Sequence, residues 1–142
     1  MAERKGSAIW KGDLEEGTGN LTVGEGVFSG RYSFSSRFEE GKGTNPEELL
    51  GAAHAACFSM ALSGDLAEHG HEVESVSTTA TVRLRTSEAG PAIDRIELVT
   101  EGRVAGIDED HFREHAEGAK QNCPVSQALA AVGEITVEAK LV

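Results

Sequence analysis

The segment from Asn45 to Gly70 constrains this chain more than any other. Asn45-Pro46-Glu47-Glu48 reads as a helix start. Asn45 can cap, Pro46 suits the first helical position, and the two carboxylates meet the positive end of the helix dipole. The helix is predicted from about Pro46 to His69, with Gly70 as its stop, a length of roughly 36 Å. Leu49, Leu50, Ala52, Ala53, Ala55, Ala56, Cys57, Phe58, Met60, Ala61 and Leu62 make its middle apolar on nearly every side. Such a helix must be covered all round. Aromatic residues are only 5% of the chain, so one copy has little with which to cover it, and two-fold pairing with a second copy is expected.

The flanking segments are β-rich. Ser7 to Trp10, Asn20 to Val23 and Arg31 to Ser36 read as short strands of a meander, separated by Gly17, Gly19, Gly24, Gly26 and Gly30. Val73 to Thr86 alternates as a long strand, with Val76, Thr78, Ala80, Val82 and Leu84 on one side. After a turn at Glu88-Ala89-Gly90-Pro91, Ile93 to Val104 returns antiparallel. Asp108 can cap a helix ending near Asn122, Pro124 opens a shorter helix to about Val132, and Glu134 to Val142 closes the chain as a strand. The class is α+β in a single domain, residues 1–142, in three stretches. Residues 1–44 form the meander and a loop, 45–70 the central helix, and 71–142 the hairpin, the two later helices and the last strand.

Charge and composition narrow the partners. Thirteen Lys and Arg against 24 Asp and Glu leave a net charge of −11, and a field of that sign repels nucleic acid and anionic lipid headgroups. At 39% hydrophobic and 26% charged residues, the chain is too apolar for a disordered acidic tail. Met1 to Gly12 has no apolar stretch of the kind a secretory signal carries. Leu49 to Leu62 is shorter than a bilayer span and is interrupted by Gly51, His54 and Ser59. A cytoplasmic location without membrane contact is the expectation. Gly24-Glu25-Gly26 and Gly41-Lys42-Gly43 match neither the Walker nor the dinucleotide spacing, so no nucleotide cofactor is expected.

The two cysteines, Cys57 and Cys123, fit neither a disulfide-stapled small domain nor a zinc ribbon. In a reducing compartment such a pair is inert or redox-active. Cys57 within an apolar helix reads first as a small hydrophobe. Cys123 precedes Pro124 and so occupies a helix cap, where the dipole favours a thiolate; on this ground alone Cys123 is the more acidic thiol. Arg37, next to Phe38, reads either as a surface ion-pair residue or as a guanidinium that lowers a thiol pKa. His111 and His115 share a helix face, His54 stands three residues before Cys57, and His69 lies beside His71. No H-E-x-x-H order accompanies them, and no metal is expected.

Taken together, Ser36-Arg37-Phe38-Glu39, the run from Gly43-Thr44-Asn45-Pro46-Glu47-Glu48 to Ala55-Ala56-Cys57-Phe58-Ser59-Met60-Ala61, and Asn122-Cys123-Pro124-Val125-Ser126 resemble the OsmC/Ohr family. These are osmotically inducible or organic-hydroperoxide-resistance proteins that act as thiol-dependent peroxidases. The resemblance runs essentially the whole length. Ser-Arg-Phe-Glu, His54 and the Val125-Ser126 ending are closer to the OsmC branch. It implies an intertwined homodimer in which antiparallel sheets wrap paired central helices, with sites at the subunit boundary. It also implies Cys57 as the peroxidatic cysteine, Cys123 as the resolving one, Arg37 as the guanidinium stabilising the thiolate, and Glu47 as the carboxylate holding Arg37. No bound cofactor is implied. The substrate would be an organic hydroperoxide, hydrogen peroxide being a poorer one, and an external dithiol such as a lipoyl protein would be the reductant. The competing reading is a non-catalytic dimeric stress or ligand-binding protein whose cysteines are structural. Glu47 and Cys57 are ten residues apart, about 15 Å along a continuous helix. Either that helix is broken, or Glu47 serves the Cys57 of a second chain.

Overall fold

The computed structural model describes residues 1–142 in two units, Met1–Leu49 and Leu50–Val142. In the first unit, β1 (Gly6–Lys11), β2 (Thr18–Val23) and β3 (Phe28–Tyr32) form an antiparallel meander in that order. Trp10 and Tyr32 pack across β2 with ring centroids 5.3 Å apart. Gly19 is paired with both, and a Cβ there would run into both rings. Only glycine lets the two aromatics meet over the central strand.

The expected strand from Arg31 to Ser36 stops at Tyr32. Residues Phe34–Phe38 form a short helix, α1. The reason is local chemistry: Ser33 accepts from the Ser36 backbone N–H while the Ser36 hydroxyl accepts from the Ser33 N–H, a reciprocal capping box. This turn places Arg37 in the last turn of α1. The second helix, α2, runs unbroken from Pro46 to Glu68. Asn45 caps it through its side-chain oxygen, which accepts from the Glu48 N–H at 2.9 Å, as its sequence foretells.

In the second unit, β4 (Glu72–Ser87) and β5 (Gly90–Ala105) form the long antiparallel hairpin, tighter at its tip than expected because Gly90 (φ +98°) and Pro91 already pair in the ladder. The last strand, β6 (Glu134–Leu141), pairs parallel to β5, so the expectation of purely antiparallel sheets fails here. The chain enters β6 from α3 (Glu109–Asn122) and α4 (Pro124–Ala128), and that helical crossover returns it in the same direction as β5. Helix α4 is shorter than expected and ends at Ala128, with the Leu129 N–H closing the turn.

Phe58, Leu62 and Leu66 recur every four residues along α2 and are fully buried with Ile96 and Leu98 of β5, Phe112, Ala116 and Ala119 of α3, and Cys123. Each large apolar side chain there contributes about 1.5–3 kcal/mol. Phe112 rests on Gly102 of β5, where any Cβ would strike its ring. A polar seam joins α2 to the sheet: Ser59 donates to Thr78 (2.8 Å), whose hydroxyl meets that of buried Thr100 at 2.8 Å.

By length and apolar composition α2 could cross a bilayer, and only 28% of its most apolar stretch is buried within the chain. The buried Phe58–Leu62–Leu66 ridge faces the second unit's core, whereas Ala52, Ala53, Ala56 and Met60 are exposed. The chain therefore covers one side of the helix, as the shortage of large apolar residues leads one to expect.

Candidate active site

The four site residues anticipated from sequence form two pairs. Arg37 and Glu47 lie in the first unit, Cys57 and Cys123 in the second. The Arg37 guanidinium donates from Nη2 to Glu47 Oε1 at 2.8 Å, and from Nε to Oε1 at 3.1 Å and Oε2 at 3.3 Å. This bidentate arrangement fixes the plane of the guanidinium as well as its charge. The Glu47 side chain is 9% exposed and that of Arg37 36%, so the carboxylate is held inside while the cation reaches the surface. Glu47 stands in the first turn of α2, where the helix dipole favours its charge. Arg37 also lies over the Phe38 ring at 5.3 Å, and Phe38 stacks on Phe34. Arg37 is thus an ion-pair residue, as the plainer of its two sequence readings has it, but one whose plane is fixed by a buried carboxylate.

Cys57 projects from the middle of α2, and Cys123 stands at the junction of α3 and α4. Both are free thiols, Cys57 half-buried and Cys123 fully buried, and each lies near enough to shift the other's ionisation. Burial pushes the Cys57 thiol up, and the neighbouring Cys123 thiol adds to the effect. Burial also acts against ionisation of Cys123, but donors outweigh it and bring that thiol down: the Cys57 S–H, the Ser126 backbone and hydroxyl, and the Val125 N–H. Within the chain Cys123 is the acidic member, as its place before Pro124 leads one to expect. Cys123 stands at the N-cap of α4 but makes no side-chain cap hydrogen bond.

One residue near this pair carries a contact that its sequence position did not disclose. His54, fully buried one turn before Cys57, lies with Nε2 2.6 Å from the hydroxyl of Ser126, one turn after Cys123. Its Nδ1 is buried without a partner, and desolvation lowers its pKa.

The remaining histidines pair differently from their spacing. His111 Nδ1 bonds Asp108 at the start of α3 (2.5 Å) instead of sharing a site with His115. His115 Nδ1 bonds Asp65 of α2 (2.5 Å), and His69 Nδ1 lies 2.8 Å from the Asp65 carbonyl. Asp65, His69 and His115 thus gather ligand-type atoms within 4.8 Å of one another. Both Nδ1 atoms are already engaged by Asp65.

Comparison with known proteins gives the geometry a family. The model of the OsmC-like protein family matches residues 39–138. Peroxiredoxin OsmC of Escherichia coli (strain K12) is 50% identical over 139 residues, spanning 97% of this chain and 96% of that protein. The organic hydroperoxide resistance protein OhrB of Bacillus subtilis (strain 168) is 28% identical over 123 residues, 86% of this chain and 89% of that one. The crystal structure of the Bacillus subtilis OhrB superposes with a TM-score of 0.70 at 26% identity, covering 97% of this chain and 98% of the other. From the matched segment, which takes in Glu47, Cys57 and Cys123, and from half-identity across nearly the whole length, the chain belongs to the OsmC-like protein family.

Proposed function

We propose that this chain is a cysteine-based peroxidase that reduces organic hydroperoxides through a Cys57 sulfenic acid and a Cys57–Cys123 disulfide. The observation that carries the reading is the nearness of the two thiols, close enough that each shifts the other's ionisation. Two thiols already in contact can bond without a large rearrangement of the helices that bear them. The names of the relatives, peroxiredoxin and organic hydroperoxide resistance protein, support the same chemistry.

In the first step the Cys57 sulfur attacks one peroxide oxygen. The O–O bond breaks, Cys57 becomes a sulfenic acid, and the departing alkoxide takes the thiol's proton to leave as an alcohol. Cys123 then attacks the Cys57 sulfur, and the S–O bond breaks as the S–S bond forms. The hydroxyl leaves with the Cys123 proton as water. An external dithiol reduces the disulfide by exchange. No bound cofactor enters these steps.

Burial works against the Cys57 thiolate, so a cation must favour it. We assign that cation to Arg37, oriented by Glu47, with its Nη1 end free to hydrogen-bond the peroxide as charge develops on the leaving oxygen. Because α2 is unbroken, Glu47 stands about 15 Å along the axis from the Cys57 of its own chain. The reading therefore pairs Arg37 and Glu47 of one chain with the Cys57 of a second in a homodimer whose exposed α2 faces cover each other. The exposed alanines and Met60 of α2 near Cys57 suit an alkyl substituent better than bare hydrogen peroxide. The acidic charge and free thiols fit the cytoplasm, away from nucleic acid and membrane.

Mass spectrometry before and after one equivalent of an alkyl hydroperoxide tests the reading. A loss of two hydrogens, mapped to a peptide pair containing Cys57 and Cys123, is expected. An unchanged mass with unconsumed hydroperoxide would overturn it and leave the cysteines structural.

A further inference from the structure

The buried pair His54 and Ser126 has no part in the chemistry described so far. Its two members sit one turn from the two cysteines on different elements, His54 on α2 and Ser126 on α4. Both are buried, their polar atoms are 2.6 Å apart, and the Ser126 hydroxyl, one turn after Cys123 at the start of α4, is among the groups that bring the Cys123 thiol down. A hydroxyl has one hydrogen to give, so its bonding partners fix the direction of each bond.

His54 Nδ1 is buried and meets no partner. Were the ring proton on Nδ1, a buried N–H donor would go unused, which costs more than an unused lone pair. The proton therefore belongs on Nε2, where it donates to Ser126 Oγ. With its oxygen accepting from the imidazole, Ser126 directs its own hydrogen at Cys123. The order is His54 Nε2–H to Ser126 Oγ, and Ser126 O–H to Cys123 Sγ. Cys57, the Val125 and Ser126 backbone and this hydroxyl are the neighbours that act on the Cys123 thiol.

We propose that His54 is a positioning residue for the second chemical step: through Ser126 it holds a hydrogen-bond donor on the Cys123 sulfur, keeping the resolving thiol ready to attack the Cys57 sulfenic acid. The inference rests on the peroxidase reading above and deepens it. In the balanced step, Cys57–S–OH and Cys123–S–H become the disulfide and water, with no external oxidant. The donor on Cys123 favours its thiolate, the form that attacks. A neutral imidazole suits this task, because a fully desolvated ring stays uncharged and keeps one fixed tautomer.

The test follows the ultraviolet thiolate absorbance of Cys123 against pH in a Cys57→Ser background, which needs no peroxide. His54→Leu and Ser126→Ala are each expected to move the midpoint up by about one pH unit, about tenfold in thiolate fraction below it. The double variant should move it no further. His54→Gln, whose amide offers an N–H donor in place of Nε2–H, should stay near the parent. An unmoved midpoint in folded His54→Leu, or an equal shift in His54→Gln, would overturn the proposal. Should His54→Leu fail to fold, Ser126→Thr against Ser126→Ala makes the same comparison: a retained midpoint with Thr and a raised one with Ala are expected, and no difference between them overturns it. With Cys57 present, dimedone trapping after one equivalent of hydroperoxide should show the sulfenic acid living about tenfold longer in His54→Leu. An active peroxidase in which neither readout moves defeats this inference alone. A parent protein that consumes no hydroperoxide defeats the peroxidase reading, whatever the Cys123 midpoint.

Discussion

The thiols of Cys57, in the middle of α2, and Cys123, at the start of α4, lie near enough to shift each other's ionisation, Cys57 upward and Cys123 downward. The two sulfurs therefore titrate as one unit. On the proposed reading, attack on a peroxide uses the form with the charge on Cys57, and resolution uses the form with the charge on Cys123.

Replacing either cysteine separates them. Cys57→Ser is expected to abolish hydroperoxide consumption. Cys123→Ser should allow one rapid turnover and then accumulate sulfinic acid at Cys57, because nothing condenses with the sulfenic acid. Stopped-flow consumption together with intact-protein mass spectrometry checks both; wild-type rates in Cys57→Ser would be incompatible with the assignment.

Removing Arg37 tests the cation. Arg37→Ala leaves the buried Glu47 carboxylate without its bidentate partner, which should cost about 1–3 kcal/mol of stability by thermal or denaturant unfolding. On the proposed reading it should also slow the attack step and move the pH profile of Cys57 alkylation upward. An unchanged profile would show that Arg37 does not act on the thiol.

Sharing of the site between chains can be read by complementation. Heterodimers made from Cys57→Ser and Glu47→Ala chains carry one site with both residues intact if Glu47 serves the partner's Cys57. Activity should then recover to about half of wild type per dimer. A mixture as inactive as its parents would argue for sites within single chains.

Gly102 and Phe112 give a stability prediction independent of function. Gly102→Ala forces a methyl group into the Phe112 ring, and the rigid strand cannot yield. A loss of about 1–3 kcal/mol is expected, measured by denaturant unfolding, with a lowered melting temperature.

The cap of α3 predicts a pH dependence. Hydrogen bonds from the His111 backbone and ring hold the Asp108 carboxyl below its usual 3.8, and Asp108 in turn raises His111 above 6.5. The Asp108 contribution is present above 3.8 and is lost as pH falls through its lowered pKa. The His111 contribution is present below 6.5 and is lost as pH rises through its raised pKa. Between those limits the cap is strongest, so the melting-temperature difference between wild type and Asp108→Ala should peak there and shrink on either side. His54 acts in the opposite sense to His111. Its depressed pKa means that the unfolded chain takes up a proton first, so it destabilises the fold as pH falls below 6.5.

Much of this molecule is legible without its coordinates. The capped start at Asn45, the run to the end of α2, the alternation of β4 and β5, and the cap at Asp108 are local signals, governed by hydrogen bonds and periodicities within a few residues. The two cysteine motifs carry a family resemblance, so the chemistry to seek is legible too. Three features were not. The Ser33–Ser36 capping box turned an expected strand into α1, because a short aromatic run is ambiguous until its hydrogen bonds are counted. The parallel pairing of β6 with β5 depends on the path through α3 and α4, and alternation alone says nothing of strand direction. The meeting of His54 with Ser126 unites positions 72 residues apart. Residue type and spacing determine which elements form and which groups are available, whereas contacts between distant segments are selected by how the whole core packs. Tertiary structure alone therefore decided that a buried imidazole meets a buried hydroxyl one turn from each of the two cysteines.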